Sequence, residues 1–425
     1  MVGSTGRPTV SRRSTGTLGA IATVAMTLML AAWSGSSAYA VARAGVSLPL
    51  ATASGSGETG CSAAKPASFA PQSVAGLFET DLTTHHSFRA VRVLAVDNPD
   101  LAVIAGADLY LTYGGGGNYP CTRIARVPLT GGPVVQSPWL DLSAPLTVAY
   151  GSVWVLGFPG PKSDDQILYQ LTASTLSIER QIQIGTRFRG WAPAAGAGAV
   201  WLSPSNGTAL GRVDARTGRL TIVQLPGFSK GQSVWDDVVS GPEADTLYIS
   251  AVDQTSTTWS QKTERFHPQT GQFEVAASKE GFPIVRLIGV AGTVLWVWTM
   301  GGMMSHAAPV SAATMAPLHC SIENTCTFNG LNGIFDVTTA GSLAWMSHAG
   351  GWLECAGGPT GSVRATVRVP GYGPITYGYS GNDSAPSSLA VGDGYLAVDA
   401  QFRGAHGTDL TPEVAIFPVD PRCAP

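Results

Sequence analysis

A short strand motif built around one aromatic residue occurs seven times along the 425 residues of the chain. In the copy "GSVWVLG" (Gly151–Gly157), β-branched and aromatic residues follow a glycine, which is typical of a strand that leaves a tight turn. A repeat of about 40–50 residues without amphipathic helical patterning predicts a β-propeller. The seven aromatic residues follow each other at intervals of 44, 47, 47, 48, 49 and 50 residues and are Tyr110, Trp154, Trp201, Tyr248, Trp296, Trp345 and Tyr395.

A second motif, a hairpin turn, recurs after the aromatic strands. In "RVDARTGRL" (Arg212–Leu220), the aspartate can accept hydrogen bonds from turn amides and the glycine can adopt the positive φ of such a turn. A short apolar run also precedes each aromatic motif, so each unit contains an inner strand, an aromatic strand, a third strand, a turn and a fourth strand. The predicted fold is all-β, a seven-bladed β-propeller of four-stranded blades, with the repeated aromatic residues in the core between blades.

The seventh unit lacks its fourth strand, because the chain ends at "EVAIFPVDPRCAP" directly after the turn. A β-like segment without a blade of its own, Ser87–Val96, lies before the first unit. We predict that this N-terminal strand pairs onto the last blade and closes the ring, which removes an exposed sheet edge. A disulfide between Cys423 and the N-terminal region, with Cys61 as the candidate partner, would fix that closure.

The first 40 residues resemble an export signal. Arg7, Arg12 and Arg13 precede an apolar stretch of 16 residues, Leu18–Trp33, and an A-x-A cleavage pattern ends at Ala40. The apolar stretch is shorter than the ~20 residues of a membrane span. Retention as an uncleaved anchor and export by a twin-arginine signal remain alternatives. The predicted organisation is a cleaved signal peptide over 1–40, a flexible Ala/Gly/Ser-rich leader over 41–82 and a single propeller domain over 83–425.

Charge and cysteine content define the class of protein further. Cleavage would remove three Arg and no acid, so the exported chain would carry 22 Lys and Arg against 28 Asp and Glu, a net charge of −6. This charge and the lack of a basic stripe argue against a nucleic-acid partner. An even number of cysteines in an exported chain predicts disulfides, with 15 possible pairings. The six candidates are Cys61, Cys121, Cys320, Cys326, Cys355 and Cys423.

The blade pattern is similar to that of known propeller families. "AVGDGYLAV", "AYGSVWVLG" and "LGRVDARTGRLTIV" resemble bacterial extracytoplasmic seven-bladed propellers of the YVTN, NHL and virginiamycin B lyase-like families. The resemblance covers about residues 85–425 and implies the fold, whereas it says little about function. Virginiamycin B lyases use a His/Glu metal site on the channel, and quinoprotein propellers carry a tryptophan docking motif. The sequence contains neither pattern.

Loops that join one blade to the next, and loops after the second strand of a blade, gather on one face of a propeller at the channel mouth, where ligands commonly bind. In this chain such loops combine aromatic rings with arginines, which suit sugars, peptides or small anions. The alternative is that these side chains pack onto the blade ends. The predicted ligand-binding residues are Arg187, Arg189, Trp191, Trp235, Asp236, Tyr372, Tyr377 and Arg403.

Catalytic patterns are weaker. There is no G-x-S-x-G elbow and no phosphate-binding loop, and the histidines lack metal-like spacing, so no metal and no cofactor are predicted. Asp236, Asp237 and Asp336 begin inner strands and could line the channel, although structural hydrogen bonding is the favoured interpretation. The sequence therefore favours an exported monomeric binding module for a small ligand, glycan, peptide or envelope protein, without a membrane span after cleavage. The alternative is a lyase, glycosidase or quinoprotein enzyme at the same mouth.

Overall fold

The computed structural model describes the part of the chain that carries the repeats. None of its described residues belongs to a helix long and apolar enough to cross a membrane. The predicted signal peptide and the predicted leader up to residue 77 lie outside this part. The described residues are 78–81, 87–96, 99–114, 121–142, 145–160, 163, 165–188, 193–203, 209–225, 237–241, 245–253, 260–276, 284–301, 304–316, 318, 334–348, 352–368, 389–403, 410–419 and 423.

The described strands form seven antiparallel sheets, one for each repeat, which confirms the all-β, seven-bladed propeller of four-stranded blades. We number the blades in chain order. Blade one contains β4 (Asp100–Ala105), β5 (Asp108–Gly114), β6 (Thr122–Pro128) and β7 (Val135–Gln136). Blade two contains β8 (Asp141–Leu142), β9 (Thr147–Ala149), β10 (Ser152–Phe158), β11 (Gln166–Thr172) and β12 (Ile178–Gly185), with β8 and β9 both pairing with β10 at its inner edge. Blade three contains β13 (Ala194–Gly196), β14 (Ala199–Leu202), β15 (Ala209–Asp214) and β16 (Leu220–Gln224).

The remaining blades follow the same order. Blade four contains β17 (Asp237–Ser240), β18 (Leu247–Asp253), β19 (Ser260–His267) and β20 (Gln272–Ala276). Blade five has three strands within the described residues, β21 (Ile284–Ala291), β22 (Val294–Gly301) and β23 (Met304–Ser311). Blade six contains β24 (Ile334–Ala340), β25 (Leu343–His348), β26 (Trp352–Gly357) and β27 (Ser362–Arg368), and blade seven contains β28 (Leu389–Gly392), β29 (Tyr395–Arg403) and β30 (Leu410–Pro418).

Three N-terminal strands join the last two sheets. β3 (Arg92–Ala95) pairs antiparallel with β30, as the outermost strand of blade seven. β1 (Phe78–Asp81) lies inside the segment predicted as a leader, and it pairs with β27 and with β2 (Ser87–Arg89) at the edge of blade six. The predicted segment Ser87–Val96 is therefore divided between two sheets. That the ring depends on this segment for closure stays a prediction.

The repeated aromatic residues fill the space between neighbouring blades. Trp154, Trp201, Trp296 and Trp345 are at most 1% exposed, so they are core residues and not a ligand platform. Four of the repeated residues also bond to backbone carbonyls through their polar atoms, namely Tyr110, Trp154, Trp201 and Tyr248. The Tyr248 hydroxyl donates to the carbonyl of Ala312 in the next blade at 2.9 Å, which ties adjacent blades together.

The turn motif takes the predicted form in blade three. The Asp214 carboxylate accepts from the backbone nitrogen of Thr217 at 2.8 Å and from its hydroxyl at 2.7 Å. These hydrogen bonds hold the pKa of Asp214 below its usual value. Gly218 has φ +72°, a conformation that favours glycine. The motif is therefore structural, a third-to-fourth-strand turn.

The disulfide prediction for the C-terminus was wrong in its partner. Cys423 is bonded to Cys355 in β26, with 6.1 Å between the two Cα atoms, and both residues are fully buried. Since the end of the chain packs into the core between blades six and seven, Cys423 meets the third strand of blade six and not Cys61. Cys121 is also disulfide-bonded. Cys61, Cys320 and Cys326 lie outside the described residues.

Candidate functional site

The antiparallel pairings define two ends of the propeller. We call the end at which inner strands begin and second strands finish the loop end, and the opposite end the turn end. The predicted binding face corresponds to the loop end. Arg187 is exposed in the connection between blades two and three, and Arg403 is the last residue of β29 at the same end. The other six predicted binding residues, Arg189, Trp191, Trp235, Asp236, Tyr372 and Tyr377, lie outside the described residues.

One loop aromatic is packed into the blades. Phe188, next to Arg187, is 2% exposed and belongs to the core between blades two and three. Its Cζ lies 3.0 Å from the position that a Cβ on Gly211 would occupy. The alternative interpretation, a side chain that covers a blade end, is therefore correct for Phe188.

A cluster of polar and aromatic side chains at the loop end of blade one was missed in the sequence. The Arg123 guanidinium carbon lies 4.4 Å from the centre of the Trp139 ring, a cation–π arrangement. Arg123 also donates to Oε1 of Gln136 at 3.1 Å. The Tyr113 hydroxyl donates to the same oxygen at 2.8 Å. We call these four residues the Arg123 cluster.

The backbone around the Arg123 cluster is fixed by hydrogen bonds. Thr122 and Leu140 exchange two backbone hydrogen bonds of 2.8 Å, which hold the connection to blade two against the start of β6. The Ser137 hydroxyl accepts from the backbone nitrogen of Ile124 at 2.9 Å. A Cβ on Gly114 would lie 3.1 Å from the Trp139 ring, so the glycine leaves room for the indole. The cluster is thus held by blade scaffold on both sides of its loop.

The Arg123 guanidinium is preorganised but not neutralised. Within the described part of the chain it has no carboxylate within ion-pair distance, and it contacts the neutral Gln136 amide, the indole and the Tyr113 hydroxyl. Gln136 is exposed and Arg123 and Trp139 are half-buried, so the cluster reaches solvent. Burial raises the pKa of Tyr113, which keeps its hydroxyl protonated as a donor to Gln136. The Nε atom is buried, so the terminal nitrogens of this fixed guanidinium are the donors suited to a carboxylate or phosphate.

Acidic residues at the loop end bond to backbone amides. Asp336 accepts from the nitrogen of Leu389, the first residue of the next blade's inner strand, at 2.7 Å, and from that of Val337 at 2.9 Å. Asp141 accepts from the nitrogen of Cys121 at 3.2 Å. The structural interpretation is confirmed for Asp336. Asp237 starts β17 opposite Ser250, as Asp336 lies opposite Ser347.

Two further carboxylates missed in the sequence, Glu264 and Glu354, are fully buried. Each stands three residues before the end of the third strand of its blade, in β19 and β26 respectively. Neither reaches solvent, so interior hydrogen bonding is the role expected for them. Their shared position, three residues before the end of the third strand, is the sequence signal that could have identified them.

A cavity of about 450 Å³ lies among inner strands, near the turn end and away from the Arg123 cluster. Its walls come from blades one, six and seven, and its one charged residue is Asp393. No group of three or more potential metal ligands occurs in the described ranges. The cavity therefore has little polar chemistry with which to orient a ligand.

Tyr169, whose hydroxyl lies at the loop end of blade two, should make the stability of the protein fall at alkaline pH. Its hydroxyl donates to the carbonyl of Phe158 at 2.9 Å, and burial, with a contribution from Asp141, raises the pKa of Tyr169 to about 12. Because the folded pKa lies above the unfolded value of ~10, the stabilisation is present below pH ~10 and is lost as the pH rises towards 12. Denaturant titrations of wild type and Tyr169→Phe should show their difference in unfolding free energy falling by about 2 kcal/mol over that interval. A constant difference would contradict this assignment.

Comparisons with known proteins support the fold. No protein-family model matches the chain, and no curated protein matches it. Among solved structures, the β-propeller domain of the Trilobed protease from Pyrococcus furiosus is similar with a TM-score of 0.51 and 9% identity, over 76% of this chain and 95% of that one. A chain of the Mitotic Checkpoint Complex has a TM-score of 0.50 and 12% identity, over 78% and 94% of the two chains.

A weaker likeness is found to BamB from Moraxella catarrhalis, with a TM-score of 0.43 and 14% identity, over 83% of this chain and 91% of that one. At such identities the likeness concerns the fold alone. The chain has a propeller architecture, and its membership of the YVTN, NHL or virginiamycin B lyase-like families stays a prediction.

Proposed function

We propose that this protein is an exported binding module that holds a carboxylate-bearing ligand at the loop end of its propeller. The observation that carries the proposal is the Arg123 guanidinium, stacked on Trp139 and bonded to Gln136 without an acidic partner in the described residues. A charge held in this way has lost its side-chain freedom before the ligand arrives, so binding costs less entropy.

The chemistry of the Arg123 cluster selects the ligand. Arginine presents paired N–H donors that match the two oxygens of a carboxylate. The exposed Gln136 amide can donate alongside, because its oxygen already accepts from Tyr113 and Arg123. The acids Asp141 and Asp336 are bonded to backbone amides, so they are engaged in the scaffold. Arg187 adds positive charge at the same end.

Export is supported by the sequence of residues 1–40 and by the buried disulfide. Disulfides such as Cys355–Cys423 persist in oxidising compartments and are rare in the cytosol. The proposal therefore places the protein outside the cytoplasm after cleavage behind Ala40, and the ligand among the peptides, acidic glycans or proteins of the cell envelope.

The test uses protein purified from the culture medium of its own host, whose intact mass should correspond to a chain that begins at Val41. Paired probes differ only in the carboxylate: peptides with a free or an amidated C-terminus, and oligosaccharides with uronic acids or with neutral sugars. We expect binding to one carboxylate member of these pairs. Arg123→Lys keeps the charge but loses the fork, and should weaken binding about ten-fold, a loss of ~1.4 kcal/mol.

The matched control is an exposed aromatic at the turn end. Tyr150 is 49% exposed, and Tyr150→Ala should leave binding unchanged while Trp139→Ala weakens it. Circular dichroism and thermal unfolding confirm that the variants fold. Equal binding to the amidated and neutral probes, or unchanged binding by folded Arg123→Lys, would show that the Arg123 cluster is not the site.

A further inference from the structure

A second group of arginines lies at the turn end, around the third-to-fourth-strand turn of blade three. Arg216 and Arg219 are exposed in this turn, and Arg212 precedes it in β15. Arg180 in β12 of blade two reaches it from the side, because its Cδ lies 3.0 Å from the position of a Cβ on Gly218. We call these four residues the turn-end arginines.

Three of the turn-end arginines are poorly neutralised. Within the described residues, Arg180, Arg212 and Arg216 form no ion pair. Asp214 is bonded to Thr217, and although Arg212 contributes to lowering the pKa of Asp214, the Thr217 hydrogen bond is the larger cause. Glu179, next to Arg180, bonds to Thr172 at 2.9 Å and to Ser152 at 3.3 Å.

The positions of these arginines are constrained. Arg180 donates to Oε1 of Gln170 at 2.9 Å, and the Arg212 guanidinium carbon lies 5.9 Å from the centre of the Trp201 ring. Neutral partners hold both side chains without cancelling their charge. The result is a positive surface on a chain whose net charge is −3, so its attraction for anions is local.

We propose that the turn-end arginines form a docking surface for a linear polymer that carries repeated phosphate groups. Several arginines around one turn can contact successive phosphates, and each contact releases counterions from the polymer. A membrane surface fits less well, because insertion also requires exposed apolar side chains. In the described part of the chain, the large exposed hydrophobics are Val91 and Tyr150. Tyr150 lies beside this turn, since its hydroxyl accepts from the nitrogen of Gly198 at 3.1 Å, but one ring does not form the apolar face that insertion needs. The proposal is independent of the ligand at the loop end.

The experiment measures binding of the secreted full-length protein to long-chain inorganic polyphosphate over a series of salt concentrations. The test variant is Arg180→Gln/Arg216→Gln, which should weaken binding at least about ten-fold at low salt. It should also lower the slope of log affinity against log salt concentration by roughly one for each arginine removed. The matched control is Arg364→Gln, an exposed arginine just after the equivalent turn of blade six, which should bind as wild type does.

Two further probes distinguish the alternatives. Vesicles of phosphatidylglycerol and phosphatidylcholine, and single-stranded DNA, are compared at the same phosphate concentration. The proposal is supported if Arg180→Gln/Arg216→Gln weakens polyphosphate binding and Arg364→Gln does not. Wild-type binding to the vesicles should also be at least ten-fold weaker than its binding to polyphosphate. No binding of folded wild type to polyphosphate at low salt, an equal loss in Arg364→Gln, or equal or tighter binding to vesicles or DNA would overturn it.

Discussion

Removal of residues Ser87–Val96 is expected to abolish soluble folding of the propeller. The segment contains β3, whose Val93 and Leu94 are at most 1% exposed, and the equally buried Val96. Val93 packs into the core between blades six and seven, whereas Leu94 and Val96 pack between blades seven and one. Burying such side chains contributes about 1.5–3 kcal/mol each. The three together approach the ~5–15 kcal/mol by which a whole protein is stable.

Hydrogen bonds add to this expected loss. The backbone of β3 pairs with β30, and the Arg92 guanidinium donates to the carbonyls of Pro128 and Gly132 in the turn of blade one. Deletion would leave the edge of β30 unpaired and open to association with other chains. The measurement is the yield of soluble monomer by size-exclusion chromatography, followed by thermal unfolding.

Point variants make the same test without a deletion. Leu94→Asp places a charge in a fully buried position, whereas Val91→Asp places it at a neighbouring position that is 50% exposed. We expect Leu94→Asp to fail to fold and Val91→Asp to remain close to wild type. A folded, monomeric deletion variant, or equal stability of the two point variants, would contradict the role of β3 in closure.

The repeat was sufficient to predict the architecture, because a propeller imposes the same burial on each blade. Trp154 and Trp345 lie 191 residues apart in the chain, yet both are buried at the same position of a second strand. The turn prediction at Asp214 succeeded for the same reason, since its hydrogen bonds are local and reach only to Thr217.

The Arg123 cluster could not be predicted in this way. Arg123 is the second residue of a third strand, whereas Trp139 lies in the connection to the next blade, and the described residues of the other units contain no equivalent contact. Their contact depends on how the Thr122 and Leu140 backbones pair. A repeated sequence pattern does not reveal contacts that occur in a single unit. Such contacts are the ones that distinguish one propeller's binding surface from another's. The partner of Cys423 was missed for a related reason, because an even cysteine count predicts that bonds form but not which ones.

Loss of the Cys355–Cys423 disulfide is expected to lower the free energy of unfolding by about 4 kcal/mol. The bond closes a loop with a sequence separation of 68 residues, which spans the outer half of blade six and most of blade seven. In the chain-entropy treatment, a cross-link of this length removes about that much free energy from the unfolded ensemble. The variant Cys355→Ala/Cys423→Ala removes both thiols, so no new disulfide partner is left in the core.

The disulfide and β3 act on the same blade from opposite ends of the chain. Cys423 and Val93 belong to one cluster of buried residues between blades six and seven, so loosening the C-terminus should also weaken the packing of β3. We therefore expect Cys355→Ala/Cys423→Ala combined with Arg92→Met to lose less stability than the sum of the two separate changes, because the first change already weakens the contacts that the second removes. Denaturant titrations of the four proteins give this coupling, and peptide mapping of the wild type reports the pairing. Additive losses would mean that the disulfide and β3 stabilise the protein independently. A Cys423 peptide linked to any cysteine other than Cys355 would refute the bond itself.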